Sequence, residues 1–360
     1  MALIKVNTRG QSSDFSTDTP KNLLINGGMM VDQRNATMQF NASSGYPCDR
    51  WYVGTSQSGT FQYTQSTDAP AGFGNSMKIQ CTTADTSLDA VSYNYIMHKL
   101  EGNALQSMNS TNGIVEHTIS FYAKASKTGV YTVNIRDEDN GQGNSKAFTI
   151  STANTWERYT LTFPAHSSGK LDNNNLSSYR IYWWMASGSN QTSGTFYNGT
   201  WGAHSNPNRV SSSNVNLGDS TSNNFFITGI QMEVGDTATN FVHRSFAEEL
   251  ALCERYFYTT YPYGSTIGAA SGASYLGRFI DDTQSYASLQ VPIVNMRVAP
   301  TRVIYNTSTG TAGQVRADSS NHTASITATG QKGGGWIYAN NTSIGKSVSC
   351  KAHLTMDPEL

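Results

Sequence analysis

The sequence contains few charged residues. Asp, Glu, Lys and Arg make up 14% of the 360 residues, whereas about 25% is usual in soluble proteins. The formal net charge is −1, so the chain lacks the excess of positive charge with which proteins bind nucleic acid phosphates. Because charge is scarce, Ser, Thr, Asn, Gln and Gly must cover much of the surface, a composition typical of exposed β proteins and of surfaces that contact sugars.

Long apolar segments are also missing. No run reaches the roughly 18 residues that a membrane-spanning helix needs, and the first residues lack the apolar centre of a signal peptide. We therefore expect no membrane insertion. We also expect the protein to be made in a cytoplasm and not to leave it by the general secretory route.

Cysteine pairs and catalytic motifs are absent as well. The four cysteines, Cys48, Cys81, Cys253 and Cys350, have neither CxxC nor metal-ligand spacing, so we expect buried, reduced thiols. The seven histidines form no HExxH pattern, and the sequence contains no GxSxG elbow and no P-loop. We therefore expect no catalytic residues and no cofactor.

The segment RDEDNG (136–141) contains three consecutive acidic residues. A glycan hydrolase needs two carboxylates about 5–10 Å apart across a groove, and Asp137, Glu138 and Asp139 are candidates. The asparagine and glycine that follow indicate instead a hairpin tip, where carboxylates are simply solvated. The cluster also lacks the distal bidentate Glu of a calcium-binding loop, so we expect no metal site here.

Alternating apolar and polar residues are abundant. In HTISFYAKA (117–125) every second side chain is apolar, the turn sequence KTG (127–129) follows, and YTVNIRD (131–137) alternates again. Similar segments, with turn signals between them, continue through residues 22–244. This spacing predicts an antiparallel sandwich with jelly-roll topology. Two Asn- and Ser-rich loops, 168–177 and 206–224, are expected on its surface, where recognition often occurs.

Residues 225–258 change from a strand pattern to a helix pattern. Phe225 to Met232 alternates as a strand, and a Gly-Asp turn signal follows. Ser245 to Glu248 then fits a helix capping box. The residues expected on the buried face of this short helix are Phe246, Leu250 and Cys253. The residues expected in water are Glu248, Glu249, Glu254 and Arg255.

Six segments follow one another in an order typical of one domain family. They are NLLINGGMMVDQRN (22–35), DRWYV (49–53), HKLEG (98–102), TISFYAKASKTGVYTVNIRDED (118–139), NTWERYTLTF (154–163) and GIQMEVGDTATNFVHRSFAEELALCERYFY (229–258). The ordered set resembles the carbohydrate-binding-module-like jelly-roll domain of bacteriophage tail-fibre and related virion proteins. Such jelly rolls often hold a structural calcium near the first strand, but Met29-Met30-Val31 stands where a Glu is usual.

Further strand-like segments fill the rest of the chain and predict a second, smaller β-sandwich. Its segment MRVAPT (296–301) and its acidic ending DPEL (357–360) match phrases of the same phage proteins. The sequence is therefore expected to be all-β, with a jelly-roll sandwich, a short helix and a C-terminal sandwich. The expected domains are an extended N-terminal docking arm (1–21), the jelly roll (22–244), a linker helix (245–255) and the C-terminal β-sandwich (256–360).

Residues 1–21 are poor in apolar side chains and rich in Ser, Thr and Asp. One interpretation is a disordered tail. The other is an extended arm that becomes ordered when it adds backbone hydrogen bonds to the sheet edge of a neighbouring subunit.

The segment RIYWWMAS (180–187) contains the most concrete candidate for sugar binding. On a strand, one row of its side chains must enter the core while the opposite row presents two aromatic rings beside a guanidinium. Sugars offer flat C–H faces to such rings. The candidate carbohydrate-binding residues, from this row and from the loop that follows, are Arg180, Tyr182, Trp184, Tyr197 and Trp201. The alternative is that another strand, the linker helix or a second subunit covers the row.

The resemblance implies a virion protein of the tail-fibre or receptor-binding type, made in the host bacterial cytoplasm and assembled as a homotrimer. Its expected partners are other virion proteins, through the N-terminal arm, and a host surface glycan that it binds without chemistry. One alternative is a structural virion component, such as a capsid fibre, decoration protein or fibre adaptor, without sugar binding. The other is a glycan depolymerase.

Overall fold

The computed structural model describes residues 22–273, 275–279, 286–317, 319–326, 330–331, 335–340 and 349–359. The N-terminal arm expected over residues 1–21 lies outside these ranges. No helix in the described part of the chain is both long enough and apolar enough to cross a membrane.

Thirteen strands form between residues 38 and 234. In chain order they are β1 (Met38–Phe40), β2 (Ser44–Cys48), β3 (Trp51–Ser56), β4 (Thr60–Ser66), β5 (Ser76–Thr83), β6 (Tyr93–Glu101), β7 (His117–Ala125), β8 (Gly129–Asp137), β9 (Gln142–Ile150), β10 (Glu157–Phe163), β11 (Ser177–Ser187), β12 (Gly202–Ala203) and β13 (Asn224–Val234). A helical turn, α1 (Ser189–Thr192), follows β11.

These strands form two antiparallel sheets. The first sheet has the order β1-β4-β5-β13-β7-β10, and the second has the order β12-β9-β8-β11-β6-β3-β2. The chain passes back and forth between the sheets, so strands that are neighbours in space are rarely neighbours in sequence. The prediction of an all-β, jelly-roll sandwich is confirmed.

The core lies between the two sheets and is rich in aromatic rings. Trp183 on β11 meets Trp51 on β3 edge-on, with ring centroids 5.7 Å apart, and meets Phe121 on β7 of the opposite sheet at 5.8 Å. All three side chains are fully buried. Burial of each such ring stabilises the fold by about 1.5–3 kcal/mol. Because the apolar side chains alternate with polar ones along each strand, only one face of each sheet can supply these rings to the core.

The segment before β1 contacts the second sheet through Asn26 and the first sheet through Gly27. Its side-chain amide donates to the carbonyls of Val31 and Asp49 and its oxygen accepts from the Val31 amide, while Trp51 Nε1 donates to the Asn26 carbonyl. The backbone of Asn26 is left-handed, with φ 57°. At the next residue, Gly27, a Cβ atom would lie 2.0 Å from the Ile230 carbonyl oxygen. The asparagine and glycine of this segment are therefore structural.

Helix α2 (Phe246–Glu254) follows the last strand of the jelly roll. Its capping box is present as predicted: Ser245 Oγ accepts from the Glu248 amide, and the Glu248 carboxylate accepts from the Ser245 amide. The prediction that Glu249 lies in water is wrong. This side chain accepts from the Asn26 amide and forms an ion pair with Arg244.

The buried face of α2 also differs from the expectation. Cys253 is fully buried, but Phe246 is 39% exposed and packs edge-on against Tyr263 at 4.9 Å. In this helix of nine residues, only Glu249 and Cys253 are buried. The acidic Glu249 can be buried because Arg244 neutralises it there.

The described residues beyond the helix contain eight further strands. They are β14 (Tyr258–Thr259), β15 (Leu276–Phe279), β16 (Tyr286–Val291), β17 (Thr301–Tyr305), β18 (Gln314–Ala317), β19 (Ser320–Ile326), β20 (Gly335–Asn340) and β21 (Ser349–Asp357). Antiparallel hydrogen bonds connect all of them, and β21 is central: its first half pairs with β15 and β18, its second half with β14 and β17. A separate apolar cluster, which includes Leu354 and Met356, fills this part of the molecule. The four cysteines are buried and unpaired, as predicted.

A buried ionic cluster joins the jelly roll to the end of the chain. Arg50 Nη1 lies 2.5 Å from Glu359 Oε2, and Arg34 pairs with Asp49 at 3.2 Å and with Asp357 at 3.1 Å. Both guanidiniums also stack on rings that follow helix α2: Arg50 on Tyr256 at 3.4 Å and Arg34 on Phe257 at 3.7 Å.

Candidate functional site

The row of side chains predicted to bind sugar does point away from the core, but it is covered. Tyr182 and Trp184 are 4% and 1% exposed and form a second apolar cluster with Met97 and Val210. Arg209 lies over both rings, 4.5 Å from the Tyr182 centroid and 4.8 Å from that of Trp184. The two rings are therefore covered by a loop, and not by the strand, linker helix or second subunit that the alternative interpretation named.

The covering element is part of the Asn- and Ser-rich loop that was expected to be free on the surface. Polar contacts hold it down: Arg209 Nε donates to Asn134 Oδ1, the Arg209 carbonyl accepts from Ser145 Oγ, and the Val210 amide donates to the Gln191 carbonyl. Because these partners lie on β8, on β9 and beside β11, the loop closes over the aromatic row from one side of the sheet.

Tyr197 and Trp201 also serve as packing residues. The Tyr197 hydroxyl donates to the Ala203 carbonyl and accepts from the Ser205 amide, and its ring lies against Gly143. Trp201 Nε1 donates to the Pro164 carbonyl, and its ring centroid is 4.5 Å from that of His166. Arg180 lies on the outer face of the second sheet, with 31% of its side chain exposed.

An aromatic surface that the sequence reasoning missed lies next to the covered row. Four partly exposed tyrosines, which we call the tyrosine strip, cross strands β2, β3 and β6: Tyr46, Tyr52, Tyr93 and Tyr95. The rings of Tyr93 and Tyr95 are nearly parallel, at 5.4 Å and 21°, and Tyr95 and Tyr52 are 6.4 Å apart at 27°. Tyr46 meets Tyr52 edge-on at 5.3 Å.

The strip is held in place by its surroundings. A Cβ atom on Gly54, the cross-strand partner of Tyr95, would lie 2.7 Å from the Tyr95 ring. The missing side chain therefore lets Tyr95 lie down on the sheet. The rings of Tyr182 and Trp184 support it from the other side, each with its centroid 5.2 Å away. The buried rings of Tyr182 and Trp184 therefore support the exposed ring of Tyr95.

The strip combines flat apolar rings with polar edges. Aromatic rings offer faces for apolar contact, and a tyrosine hydroxyl adds a hydrogen-bonding group at the rim. Burial raises the pKa of Tyr95 well above its usual value, so this hydroxyl stays protonated and remains a donor. Lys99 lies at one end of the strip, with its Nζ 4.7 Å from the Tyr52 ring centroid. Such a surface suits a ligand with flat C–H faces and hydroxyl groups.

The sequence indicates that each tyrosine of the strip lies on a strand, but it does not indicate that these strands are neighbours. Tyr93 and Tyr95 alternate in the segment YNY, and Tyr52 lies in DRWYV. Their juxtaposition depends on the pairing of β3 with β6, in which Gly54 faces Tyr95 and Tyr52 faces Met97. Periodicity gives the outward positions on each strand, but it does not give the pairing.

The acidic hairpin at residues 136–141 is a turn, as predicted, but its first carboxylate is not solvated. Asp137 is fully buried: its Oδ2 is 3.1 Å from His166 Nε2, and it also accepts from the amide and side chain of Asn140. The other ring nitrogen, His166 Nδ1, accepts from the Ser168 amide. The buried pair therefore holds the hairpin closed by this contact and by the hydrogen bonds of Asp137 to Asn140. Among the residues described, no three His, Cys, Asp or Glu side chains are grouped so that they could hold a metal ion.

A cleft of about 520 Å³ lies where the jelly roll meets the C-terminal strands. Its walls are largely apolar and include Met38, Phe257, Ile267 and Val303. The charged groups at its edge, Arg34 and Asp357, are paired with each other.

Comparison with known proteins gives distant similarities of structure. No protein-family model matches the sequence, and no curated protein matches it. The enzymatically active domain of tailspike protein 4 of bacteriophage CBA120 is similar over 60% of this chain and 22% of its own, with 14% identity and a TM-score of 0.29. The match thus spans less than a quarter of the tailspike chain.

Two carbohydrate-binding modules of Clostridium thermocellum are similar over nearly their whole length. The C-terminal family 22 module of Xyn10B matches 58% of this chain and 99% of its own, with 12% identity and a TM-score of 0.29. The family 11 module, solved with a β-1,3-1,4-mixed-linked tetrasaccharide, matches 57% and 99%, with 12% identity and a TM-score of 0.28. Similarity at this level assigns neither a ligand nor an activity to this chain.

Proposed function

We propose that this chain is a non-enzymatic virion protein of a phage, of the tail-fibre or receptor-binding type, that attaches to a glycan on the host surface. The tyrosine strip is the observation that carries the proposal. The rings of Tyr52, Tyr93 and Tyr95 are partly exposed and nearly parallel. Gly54 and the buried row of Tyr182 and Trp184 fix the Tyr95 ring in place. A fixed platform of this kind loses little conformational freedom when a sugar stacks on it.

The virion setting rests on the resemblance of residues 22–258 to phage tail-fibre domains. In that setting the protein is made in the host bacterial cytoplasm, assembles as a homotrimer and docks onto other virion proteins through residues 1–21. The buried state of the Asp137–His166 pair supports binding without catalysis, because neither side chain can reach a substrate.

Substitution of the strip tests glycan binding directly. Tyr52→Ala and Tyr95→Ala are each expected to weaken binding roughly tenfold, because one aromatic contact contributes about 0.5–1.5 kcal/mol beyond the area it buries. Binding of the full-length chain would be measured by biolayer interferometry on immobilised capsular and O-antigen polysaccharides from a panel of bacteria. Thermal unfolding of each variant would show that the fold is retained.

Tyr122→Ala is the matched control. Tyr122 is a partly exposed tyrosine on the outer face of the first sheet, packed 5.4 Å from Phe73, so its loss alters a similar surface far from the strip. This variant is expected to bind as the unaltered chain does. Equal affinity of the Tyr52 and Tyr95 variants, with folds intact, would remove the strip from the function.

A structural virion component without sugar binding is the second candidate. The observation that favours it is the coverage of Tyr182 and Trp184 by the loop around Arg209, since residues first expected to meet a ligand serve packing instead. Localisation of the chain in the particle by cryo-electron microscopy, together with adsorption of particles carrying Tyr52→Ala, separates the two. A capsid position with unchanged adsorption would favour the structural candidate.

A glycan depolymerase is the third class. Prolonged incubation of the chain with a polysaccharide that it binds is expected to release no reducing ends. Their release would contradict the non-enzymatic proposal.

A further inference from the structure

Three basic residues stand side by side at one end of the tyrosine strip. Arg136 on β8 is the direct cross-strand partner of Arg180 on β11, and Arg180 is the direct partner of Lys99 on β6. All three lie one pleat beyond the row of Asn134, Tyr182 and Met97, on the same outer face. We call Lys99, Arg136 and Arg180 the basic row.

One carboxylate serves both arginines of this row. Glu138 lies 3.0 Å from Arg136 Nη2 and 2.9 Å from Arg180 Nε. The other nearby carboxylates have strong partners of their own: Glu101 is held by Arg255 at 2.7 Å and Glu359 by Arg50 at 2.5 Å. Arg136 and Arg180 therefore share one carboxylate on this part of the face.

Like charges that are directly opposed across strands are destabilising. Burial, followed by repulsion from Arg180, lowers the pKa of Lys99 to about 8. The charged form of Lys99 is therefore less stable here than it is in water. The basic row is costly for the isolated protein, and an anion placed over it would relieve the repulsion.

The row and the strip are continuous. Lys99 Nζ lies over the ring of Tyr52, 4.7 Å from its centroid, and rows on one face of a strand repeat about every 7 Å. A sugar ring stacked on Tyr52 would therefore place a substituent beside Lys99 and Arg180. Guanidinium groups bind carboxylate and phosphate oxygens in charge-assisted hydrogen bonds, often in pairs.

We propose that the glycan bound by this face is anionic, with a carboxylate or phosphate group held by the basic row while a neighbouring sugar ring stacks on the tyrosine strip. This inference rests on the proposed glycan-binding function and narrows its ligand to acidic polysaccharides. It makes Arg180 and Lys99 the residues that select charge, and Tyr52 and Tyr95 the residues that supply stacking.

The test compares charge and stacking variants on one array. The array carries bacterial capsular and O-antigen polysaccharides of three kinds, with neutral, uronic-acid and phosphodiester-linked repeats, and the full-length chain is the analyte. Arg180→Gln and Lys99→Gln are expected to weaken binding to the acidic polysaccharides at least tenfold. Binding by the unaltered chain is expected to fall steeply as sodium chloride rises from about 0.05 to 0.5 M, because salt screens exposed charges.

Lys78→Gln is the control for loss of a positive charge. Lys78 lies on the first sheet, with its Nζ 5.8 Å from the Phe226 ring centroid, so it repeats the lysine-on-ring arrangement away from the basic row. This variant is expected to bind as the unaltered chain does. The uronic-acid and phosphodiester members of the array distinguish the two sources of negative charge.

Failure of this inference differs from failure of glycan binding as such. If the chain binds neutral polysaccharides, loses them in Tyr52→Ala and keeps them in Arg180→Gln, the anionic ligand is ruled out while glycan binding stands. If no polysaccharide of any kind binds, both the inference and the proposed function are contradicted.

Discussion

At the scale of single residues, the outward side chains of β11 show what alternation along a strand predicts and what it does not. Alternation assigned Tyr182 and Trp184 to the face opposite Trp183, and that assignment is correct. Alternation does not say what lies over an outward face. The cover is a polar loop near Arg209, whose course depends on hydrogen bonds to β8 and β9 rather than on any periodic signal of its own.

The burial of Trp184 reverses the effect expected of its removal. As a surface ring it would affect binding alone, but as a core ring its replacement leaves a cavity. Trp184→Ala is therefore expected to lower the free energy of unfolding by about 3–5 kcal/mol, measured by urea denaturation. Tyr93→Ala, at a partly exposed ring of the strip, is expected to cost clearly less. Equal stability of Trp184→Ala and the unaltered chain would show that the loop does not cover the ring in solution.

At the scale of elements, helix α2 combines a local signal with one that is not local. The capping box was predictable because Ser245 and Glu248 act within one turn. The burial of Glu249 was not, because it depends on Arg244 and on the Asn26 amide, which reaches the helix from the other end of the jelly roll. The strands behaved likewise: their alternation was predictable, and the pairing that builds the tyrosine strip was not.

The two acidic residues of α2 should differ in what they contribute to stability. Glu249→Ala leaves Arg244 without its carboxylate and the Asn26 amide without its acceptor, so a loss of about 3 kcal/mol is expected. Ser245→Ala removes an exposed cap and should cost about 1 kcal/mol. Urea denaturation of both variants measures the difference. A loss for Glu249→Ala no larger than for Ser245→Ala would contradict the assigned role of the buried ion pair.

At the scale of the whole molecule, the core of the jelly roll and the apolar cluster of the C-terminal strands are connected by charge rather than by a shared core. Arg34 and Arg50 in the jelly roll reach Asp357 and Glu359 at the end of the chain, and each guanidinium stacks on a ring beyond α2. Composition and alternation predicted the all-β fold of both parts. The connection could not be predicted, because its partners lie about 300 positions apart and each alone resembles an ordinary surface charge.

Glu359→Ala tests this connection. It leaves the guanidinium of Arg50, which is 1% exposed, without its carboxylate, and an unpaired buried charge costs about 3–5 kcal/mol. Calorimetry is expected to show one unfolding transition for the unaltered chain and two for the variant, with the C-terminal strands melting first. A single transition at the same temperature in both would mean that the ionic cluster does not couple the two parts.

On the outer face of the second sheet, buried rings support exposed ones, and strand pairing brings them together. The most direct test is a crystal structure of the full chain with an oligosaccharide cut from a polysaccharide that it binds. We predict sugar rings stacked on Tyr52 and Tyr95, with an acidic group within hydrogen-bond distance of Arg180 or Lys99. An oligosaccharide bound to the first sheet or in the cleft near Met38, with the tyrosine strip unoccupied, would contradict the account.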